Sequence, residues 1–243
     1  MQNDNTQQTV AIVTGASSGI GLGITQALLE RGWRVVATSR SISKSKDLKP
    51  SPDLVLVDGE VSKKETGVKV VEAALKHFGR IDLLVNNAGI FIPKPFTDYT
   101  EEDYNLVMNT NVASLFFMTQ QVIPQMEKQN SGHVVNISAV LADQPSGAVR
   151  ALLAVLSKSP MPAVSKALAL EYAANNIRFN TVSPGNINTP MHANDNHAAL
   201  AKFHPLGRMG EISDIVDAVL YLHNATFVTG ENIRVDGGIH AGR

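Results

Sequence analysis

The chain has 243 residues, of which 44% are apolar and 18% are charged, and its formal net charge is −1. This composition suits a protein with a sizeable core, and the small charge gives no general attraction to nucleic acid or to an anionic membrane. The absence of cysteine excludes disulfides and thiolate metal sites, and no apolar run approaches the ~20 residues of a membrane span.

The first segment, residues 1–8, is polar and lacks the basic and apolar parts of a signal peptide. We expect this segment to be a frayed tail. No repeat, low-complexity linker or charge block follows it. Residues 1–243 are therefore predicted to form one domain of a cytoplasmic protein.

Short β-branched runs alternate with longer helical patterns along the rest of the chain. The predicted strands are Thr9–Val13, Arg34–Thr38, Leu54–Val57, Ile81–Val85, His133–Ile137, Arg178–Val182 and Ile233–Val235. Most are nearly continuous apolar runs, which are typical of strands buried on both faces of a parallel sheet. Alternation with helices predicts an α/β fold with a doubly wound parallel sheet.

Helical spacing of apolar residues predicts one helix around residues 68–78 and a late helix around residues 215–222. Thr100 is predicted to cap a third helix. Its first turn contains Glu101, Glu102 and Asp103, and carboxylates are favourable at the positive end of a helix.

A glycine-rich segment, VAIVTGASSGIGLGI, joins the first strand to the following helix at residues 10–24. Gly15, Gly19 and Gly21 lie in the turn, where glycine permits unusual backbone angles and the close approach of a ligand. The helix N-terminus offers free N–H groups and a positive dipole end, so the segment predicts a pyrophosphate site. A purely structural turn is the alternative.

The spacing TGxxxGxG resembles that of the short-chain dehydrogenase/reductase family, and five further motifs follow in the family's order. They are Asn86-Asn87-Ala88-Gly89, Asn111, Ser138, Pro184-Gly185 with Thr189, and Val235-Asp236-Gly237-Gly238. The resemblance runs from about residue 8 to the end. It implies a Rossmann-type sheet of seven parallel strands with helices on both faces, a nicotinamide cofactor, and a homotetramer or homodimer.

The residues that this resemblance and the glycine turn predict to contact the cofactor are Gly15, Ser17, Ser18, Gly19, Ile20, Ser39, Arg40, Glu60, Val61, Asn87, Ala88, Gly89, Lys158, Pro184, Gly185, Ile187 and Thr189. Glu60-Val61 aligns best with an Asp-Val pair that the family places near the adenine. Asp58 competes for that position, and a solvated acidic turn explains Glu60 equally well.

The second strand, RVVATSRS, indicates which nicotinamide cofactor is preferred. NAD sites place an acid about 20 residues after the glycines to bond the ribose hydroxyls. Ser39 stands at that place, Arg40 follows it, and no acid occurs between Glu30 and Asp47. Because Arg40 can pair with a 2′-phosphate, we predict NADP(H) over NAD(H). The alternative is that Arg40 only ends a strand at the surface.

Family members carry a Tyr-x-x-x-Lys pair, and the resemblance implies that the tyrosine would protonate the substrate oxygen. The lysine would bind the nicotinamide ribose and lower the tyrosine pKa, the serine would orient the carbonyl, and the helix asparagine would hold a water in the proton path. The predicted catalytic residues are accordingly Ser138, Lys158 and Asn111. The tyrosine position is Ala154, however, and Tyr99, Tyr104, Tyr172 and Tyr221 have no lysine four residues later.

Lys158 ends an apolar run that begins at residue 151, and a lysine buried there needs a partner or a role. A surface lysine at a helix start is the alternative, and Lys166 is a rival match for the family's lysine. Pro160 and Pro162 suit only a first helical turn. The long helix is therefore predicted to begin near Pro160, with Lys158 just before it.

Two functions remain open at the level of sequence. The first is an NADPH-dependent oxidoreductase that reduces an activated carbonyl or quinone without the usual tyrosine. The second is a catalytically weak or inactive scaffold or sensor that binds the cofactor. Retention of Asn111, Ser138 and a lysine favours the enzyme, which would act on a small molecule, with no nucleic-acid or membrane partner.

A substrate lid is predicted at about residues 190–210, where His192, His197 and His204 occur. Their spacing matches no helical ligand pair, so no metal site is predicted. An ordinary lid is the favoured interpretation. His192 is the nearest candidate for a substitute acid, and Asp143 is a weaker one.

Overall fold

Seven parallel strands form a single sheet in the computed structural model, which describes residues 8–242. The predicted tail lies outside the described residues apart from Gln8. The strands are β1 Val10–Thr14, β2 Arg34–Ser39, β3 Leu54–Asp58, β4 Leu83–Asn86, β5 Gly132–Ile137, β6 Ile177–Pro184 and β7 Asn232–Val235. Each begins and ends within two residues of its predicted bounds. The predicted fold class, a Rossmann-type doubly wound sheet, is confirmed.

Nine α-helices are found in the described part of the chain. They are α1 Gly19–Glu30, α2 Lys64–Phe78, α3 Glu101–Met108, α4 Ser114–Gln129, α5 Val140–Asp143, α6 Leu152–Lys158, α7 Pro160–Glu171, α8 His197–Ala201 and α9 Ile212–Asn224. A π-helical segment, Asn109–Ala113, joins α3 to α4. Within residues 8–242, no helix is long and apolar enough to cross a membrane.

Apolar side chains cover both faces of the sheet. On one face, Leu28 of α1 and Val219 of α9 belong to a buried cluster with residues of β1 and β2. On the other face, Val70 of α2 and Met118 of α4 pack against β4 and β5 with the core residue Phe179 of β6. Burial on both faces explains the continuous apolar runs of the strands.

The strand order is β3-β2-β1-β4-β5-β6-β7. The chain therefore adds β2 and β3 on one side of β1 and then crosses back to add β4 on the other side. A crevice opens at the carboxyl ends of the strands at such a reversal, and ligands of open α/β sheets bind there. The segments that follow the first six strands carry most of the predicted site residues. The topology therefore brings motifs that are distant in sequence to one edge of the sheet.

Two helix boundaries test the local predictions. Thr100 Oγ1 accepts a hydrogen bond from Asp103 N at 3.2 Å and Asp103 Oδ2 accepts one from Thr100 N at 3.0 Å, which confirms the predicted cap of α3. The helix α7 begins at Pro160, as predicted. Lys158 lies just before α7, but it also ends a separate helix, α6, which the sequence interpretation did not predict. Ser159 keeps helical angles of φ −56° and ψ −33°, although the residue before a proline is disfavoured in this conformation.

Buried histidine lies at the opposite, amino end of the sheet. His133 of β5 is 1% exposed, and its Nε2 accepts a hydrogen bond from Asn180 Nδ2 at 3.0 Å. Desolvation, with smaller contributions from Arg178 and His223, lowers the pKa of His133 well below 6.5. Desolvation also lowers the pKa of His223.

We predict that the protein loses stability in mild acid because of these imidazoles. Below pH 6.5 the unfolded chain takes up protons that the folded chain excludes, so the free energy of unfolding falls as pH decreases from 6.5 towards the folded-state pKa. Urea unfolding from pH 7.5 to 5 should show this decrease, and His133→Gln should flatten it. The same substitution at the exposed His77 is the control, and a flat wild-type profile would contradict the prediction.

Candidate active site

A cavity of about 540 Å³ lies at the carboxyl edge of the sheet. All of the residues predicted to contact the cofactor line it, together with Ser138, Ala154 and the lid residue His192. Further lining residues come from α3, α5 and the lid. The predicted residues thus surround a single space large enough for a small ligand, although they come from segments more than 170 residues apart.

The glycine turn after β1 has the conformation that a phosphate site requires. Gly15 and Gly19 have φ values of +65° and +55°, in the left-handed region that favours glycine. A Cβ atom on Gly15 would lie 2.9 Å from Ala88 Cα, so the turns after β1 and β4 are in close contact. The helix α1 begins at Gly19 without a side-chain cap, which leaves its first N–H groups for a ligand such as pyrophosphate.

Thr14, which the sequence interpretation did not single out, holds these two turns together. Its Oγ1 accepts hydrogen bonds from Asn87 N and Ala88 N, both at 3.0 Å. Asn87 Nδ2 donates in return to Thr14 O at 2.9 Å. The threonine directly before the first glycine was the signal available in the sequence.

The segments after β2 and β3 form another part of the wall. Ser39 and the exposed Arg40 line the cavity, as do Glu60 and Val61. Asp58 faces Ser43 instead: its Oδ1 accepts from Ser43 N at 2.8 Å, and hydrogen bonds from the Ser43 side chain and backbone lower the pKa of Asp58. Asp58 therefore does not compete with Glu60 for the cavity.

Ser138 and Lys158 are joined by hydrogen bonds in both directions. Ser138 Oγ donates to Lys158 O at 3.1 Å, while Lys158 Nζ donates to Ser138 O at 2.9 Å and approaches Ile137 O at 3.5 Å. The end of β5 is thereby fastened to the end of α6. Both side chains remain at the cavity wall, so the predicted pair is brought together.

The Lys158 ammonium lies in a desolvated environment, which lowers its pKa from 10.5 to about 8. Within the described chain, no carboxylate forms an ion pair with it. Gly89 leaves space beside it, because a Cβ atom there would lie 3.8 Å from Lys158 Nζ. The rival, Lys166, is exposed on α7.

Ala154 lies one helical turn before Lys158 on α6 and lines the same cavity, although it is only 5% exposed. None of the tyrosines in the described chain lines this cavity. Tyr99, for example, donates its hydroxyl to Ile92 O at 2.7 Å. The wall that carries Lys158 thus has a methyl group at the position that the sequence interpretation assigned to the family's tyrosine.

Asn111 lies behind the cavity wall rather than in it. Its Oδ1 accepts from Ile90 N at 2.8 Å, and its Nδ2 donates to Ile90 O at 3.1 Å and to Ser157 Oγ at 2.9 Å. Both amide protons therefore have protein partners, and Asn111 is 1% exposed. These contacts indicate that Asn111 positions the turn after β4 and the end of α6, and the expected water-holding role stays a prediction.

The other candidate acids are differently placed. Asp143 accepts from Asn232 Nδ2 at 3.0 Å and forms an ion pair with Arg234, so this carboxylate serves the fold. His204 is buried and accepts from Asn186 N at 3.0 Å. His192 lines the cavity, with its Nδ1 2.7 Å from Asp195 Oδ2.

His197 Nε2 lies 2.8 Å from His192 O, so this imidazole braces the lid backbone. Among residues 8–242, no group of three or more histidine, aspartate or glutamate side chains could hold a metal ion.

Comparison with known proteins gives consistent matches over nearly the whole chain. A family model described as enoyl-(acyl carrier protein) reductase matches residues 15–240. The 3-oxoacyl-acyl-carrier-protein reductase FabG of Thermotoga maritima is 34% identical over 243 residues, covering 95% of this chain and 97% of that protein. The acetoacetyl-CoA reductase of an Acinetobacter species is 34% identical over 246 residues, covering 96% and 98%.

Solved structures also match. The structure titled "ElxO with NADP Bound" has a TM-score of 0.86 and is 26% identical in sequence. The match covers 96% of this chain and 99% of that one.

We predict that replacing Asn111 affects stability through the contacts behind the cavity. Asn111→Leu would leave Ile90 N, Ile90 O and the Ser157 hydroxyl without their partner, so the free energy of unfolding should fall by about 1–3 kcal/mol. The exposed Asn109 offers a matched control, Asn109→Leu, for which a change within about 0.5 kcal/mol is expected. Equal effects in denaturant titrations would contradict this assignment.

Proposed function

Because the chain belongs to the short-chain dehydrogenase/reductase family, we propose that it is an NADPH-dependent oxidoreductase of small carbonyl or quinone compounds. The observation that carries this proposal is the convergence of the glycine turn, Arg40 and the Ser138–Lys158 pair on one cavity. The bound cofactor would supply a hydride to the acceptor carbon. The protein would have to hold both molecules and stabilise the oxygen that becomes negative.

The residues present fit a dinucleotide. The left-handed glycines and the uncapped N-terminus of α1 offer backbone N–H groups to a pyrophosphate. Gly89 and Lys158 line the same cavity, and Lys158 would bind the nicotinamide ribose. The NADP in the related structure supports this cofactor, as does Arg40, whose guanidinium can pair with a 2′-phosphate.

The preferred acceptor follows from the methyl group of Ala154. A positioned general acid typically contributes about 10²–10⁴-fold to a rate, and Ala154 cannot act as one. A ketone would leave an alkoxide, whose conjugate acid is about as weak an acid as water. A quinone would leave a phenolate-like oxygen with a pKa of roughly 10. The Lys158 ammonium and the Ser138 hydroxyl would stabilise the latter oxygen more easily.

Assembly into a homotetramer or homodimer is part of the proposal. Phe116 on α4 is 57% exposed and Leu170 on α7 is 82% exposed, although both are large and apolar. Contact between copies of the chain would remove such surface from water.

We predict that Arg40→Asp reverses the cofactor preference. Loss of the guanidinium and gain of a carboxylate should weaken the binding of NADPH by about 10- to 100-fold. The binding of NADH should be unchanged or tighter. Binding of each nucleotide by calorimetry measures the effect. The control is Lys46→Asp, which makes the same charge change at an exposed site outside the cavity. Equal wild-type affinity for NADPH and NADH would refute the assigned role of Arg40.

We predict that the wild-type protein oxidises NADPH with 1,4-naphthoquinone at least about 100-fold faster than with cyclohexanone. Ala154→Tyr should raise the cyclohexanone rate because it restores a phenol one turn before Lys158. NADPH absorbance measures all three rates, and Ala154→Phe is the control without a hydroxyl.

Comparable wild-type turnover of cyclohexanone and the quinone would contradict the acceptor class. Tight NADPH binding without turnover of any acceptor would instead favour the scaffold or sensor.

A further inference from the structure

The Lys158 ammonium has hydrogen-bonding capacity that the protein leaves for a ligand. An ammonium has three donors. One N–H reaches Ser138 O at 2.9 Å, and the contact with Ile137 O, at 3.5 Å, is at the limit of a hydrogen bond. The side chain faces the cavity. Up to two donors therefore remain, which is enough for a ribose hydroxyl of the cofactor and for one oxygen atom of a second ligand.

Ser138 offers the complementary group beside it. Its hydroxyl proton is directed to Lys158 O at 3.1 Å, so the remaining lone pairs of Oγ are acceptors. A ligand group that accepts from Lys158 and donates to Ser138 would satisfy both side chains at once. A hydroxyl group has this combination, whereas a ketone oxygen and a carboxylate are acceptors only.

The surrounding wall selects the rest of the ligand. Ala154 carries only a methyl group on the turn that precedes Lys158, and α6 packs against α3 and α5. Leu106 of α3 and Val140 and Leu141 of α5 line the cavity, as does Phe91. A flat apolar ring would bury its faces against these side chains, and it would occupy the space that a large side chain at position 154 would otherwise fill.

Charge favours a hydroxyl that is acidic. In the described part of the chain, Lys158 has no carboxylate partner, and burying an uncompensated ammonium is unfavourable. A ligand that can delocalise a negative charge over a ring would compensate it with little desolvation cost. An aliphatic alcohol does not ionise near neutral pH, so it would provide only the hydrogen bonds.

From this combination we propose that the space over Ala154 is a binding site for phenols, with the phenolic oxygen between Lys158 Nζ and Ser138 Oγ. The proposal deepens the proposed function, since hydroquinone, the product of quinone reduction, is a phenol. It also reaches beyond turnover, because phenols that are not products should occupy the same site. On ionisation of the phenol, the Ser138 hydroxyl would have to leave Lys158 O in order to donate to the phenolate. A carboxylate would need the same rotation, but its charge is not delocalised over a ring, so it would cost more to desolvate than a phenolate.

The test is an optical titration of the full-length wild-type protein with 4-nitrophenol, without cofactor or acceptor. Only the ionised form of this probe is strongly coloured. At a pH where the free probe is mostly neutral, binding should increase its colour. The neighbouring ammonium should lower the pKa of the bound probe by about one unit or more. At a fixed pH, this shift raises the ratio of ionised to neutral probe about tenfold or more.

Three variants locate the site. Lys158→Met should abolish the colour change, because the charge that favours the phenolate is removed. Ala154→Phe should weaken binding at least about tenfold by filling the space with a ring. Ala163→Tyr, which places a tyrosine on the exposed side of α7, should bind the probe like the wild type. Circular dichroism verifies that each variant is folded.

Two ligands keep the test independent of the variants. 4-Nitrobenzyl alcohol has a similar shape but a hydroxyl that does not ionise, and 4-nitrobenzoate carries a carboxylate. Both should compete at least about tenfold more weakly than 4-nitrophenol binds. Equal or tighter binding of either compound, or a bound probe that ionises as it does in water, would overturn the proposal.

The two proposals fail separately in these experiments. If 4-nitrophenol binds as expected but no acceptor consumes NADPH, the phenol site stands and the reductase proposal fails. If a quinone is reduced rapidly but the probe does not bind over Ala154, the reductase proposal stands and the phenol site is wrong.

Discussion

A lysine ammonium held in a partly desolvated cavity, without a carboxylate to balance it, is the constraint on which the chemistry of this protein depends. The hydrogen bonds that join Lys158 to Ser138 place that charge at the end of β5, and desolvation brings its pKa to about 8. Whatever enters the cavity meets a group that is mostly protonated at neutral pH but gives up its proton more easily than an ordinary lysine. Ala154, one turn earlier on α6, contributes only a methyl group to the same cavity.

The rest of the fold serves to keep this site open and aligned. Apolar contacts on both faces of the sheet fix the strands, and the reversal of strand order at β1 opens a crevice at their carboxyl ends. Thr14 then ties the turns after β1 and β4, and Asn111 ties the second of these turns to α6. The cavity is therefore bordered by short polar links between rigid elements, which would suit the alignment of a cofactor and an acceptor in the proposed reaction.

Sequence alone predicts the sheet well because each buried strand is a continuous apolar run between turn residues, as Val10–Thr14 and Gly132–Ile137 illustrate. It also predicts which residues line the cavity, since parallel topology brings the strand ends together. It predicts side-chain partners poorly. The hydrogen bonds of Asn111 to Ile90 and Ser157, for example, arise only when α6 packs beside the turn after β4. Similarly, the helical state of Lys158 depends on contacts of α6 that no local pattern encodes.

The π-helical segment between α3 and α4 limits which changes in chain length the protein can tolerate. A π-helical turn accommodates one residue more than an α-helical turn, and each residue of an α-helix rotates the side chains by about 100° around the axis. Asn109–Ala113 therefore sets a separate rotational phase for each of the helices it joins. Removing a single residue there would regularise the hydrogen bonding and turn Asn111 away from Ile90. The π-helical segment thus allows Leu106 of α3 to line the cavity while Met118 of α4 packs against the sheet.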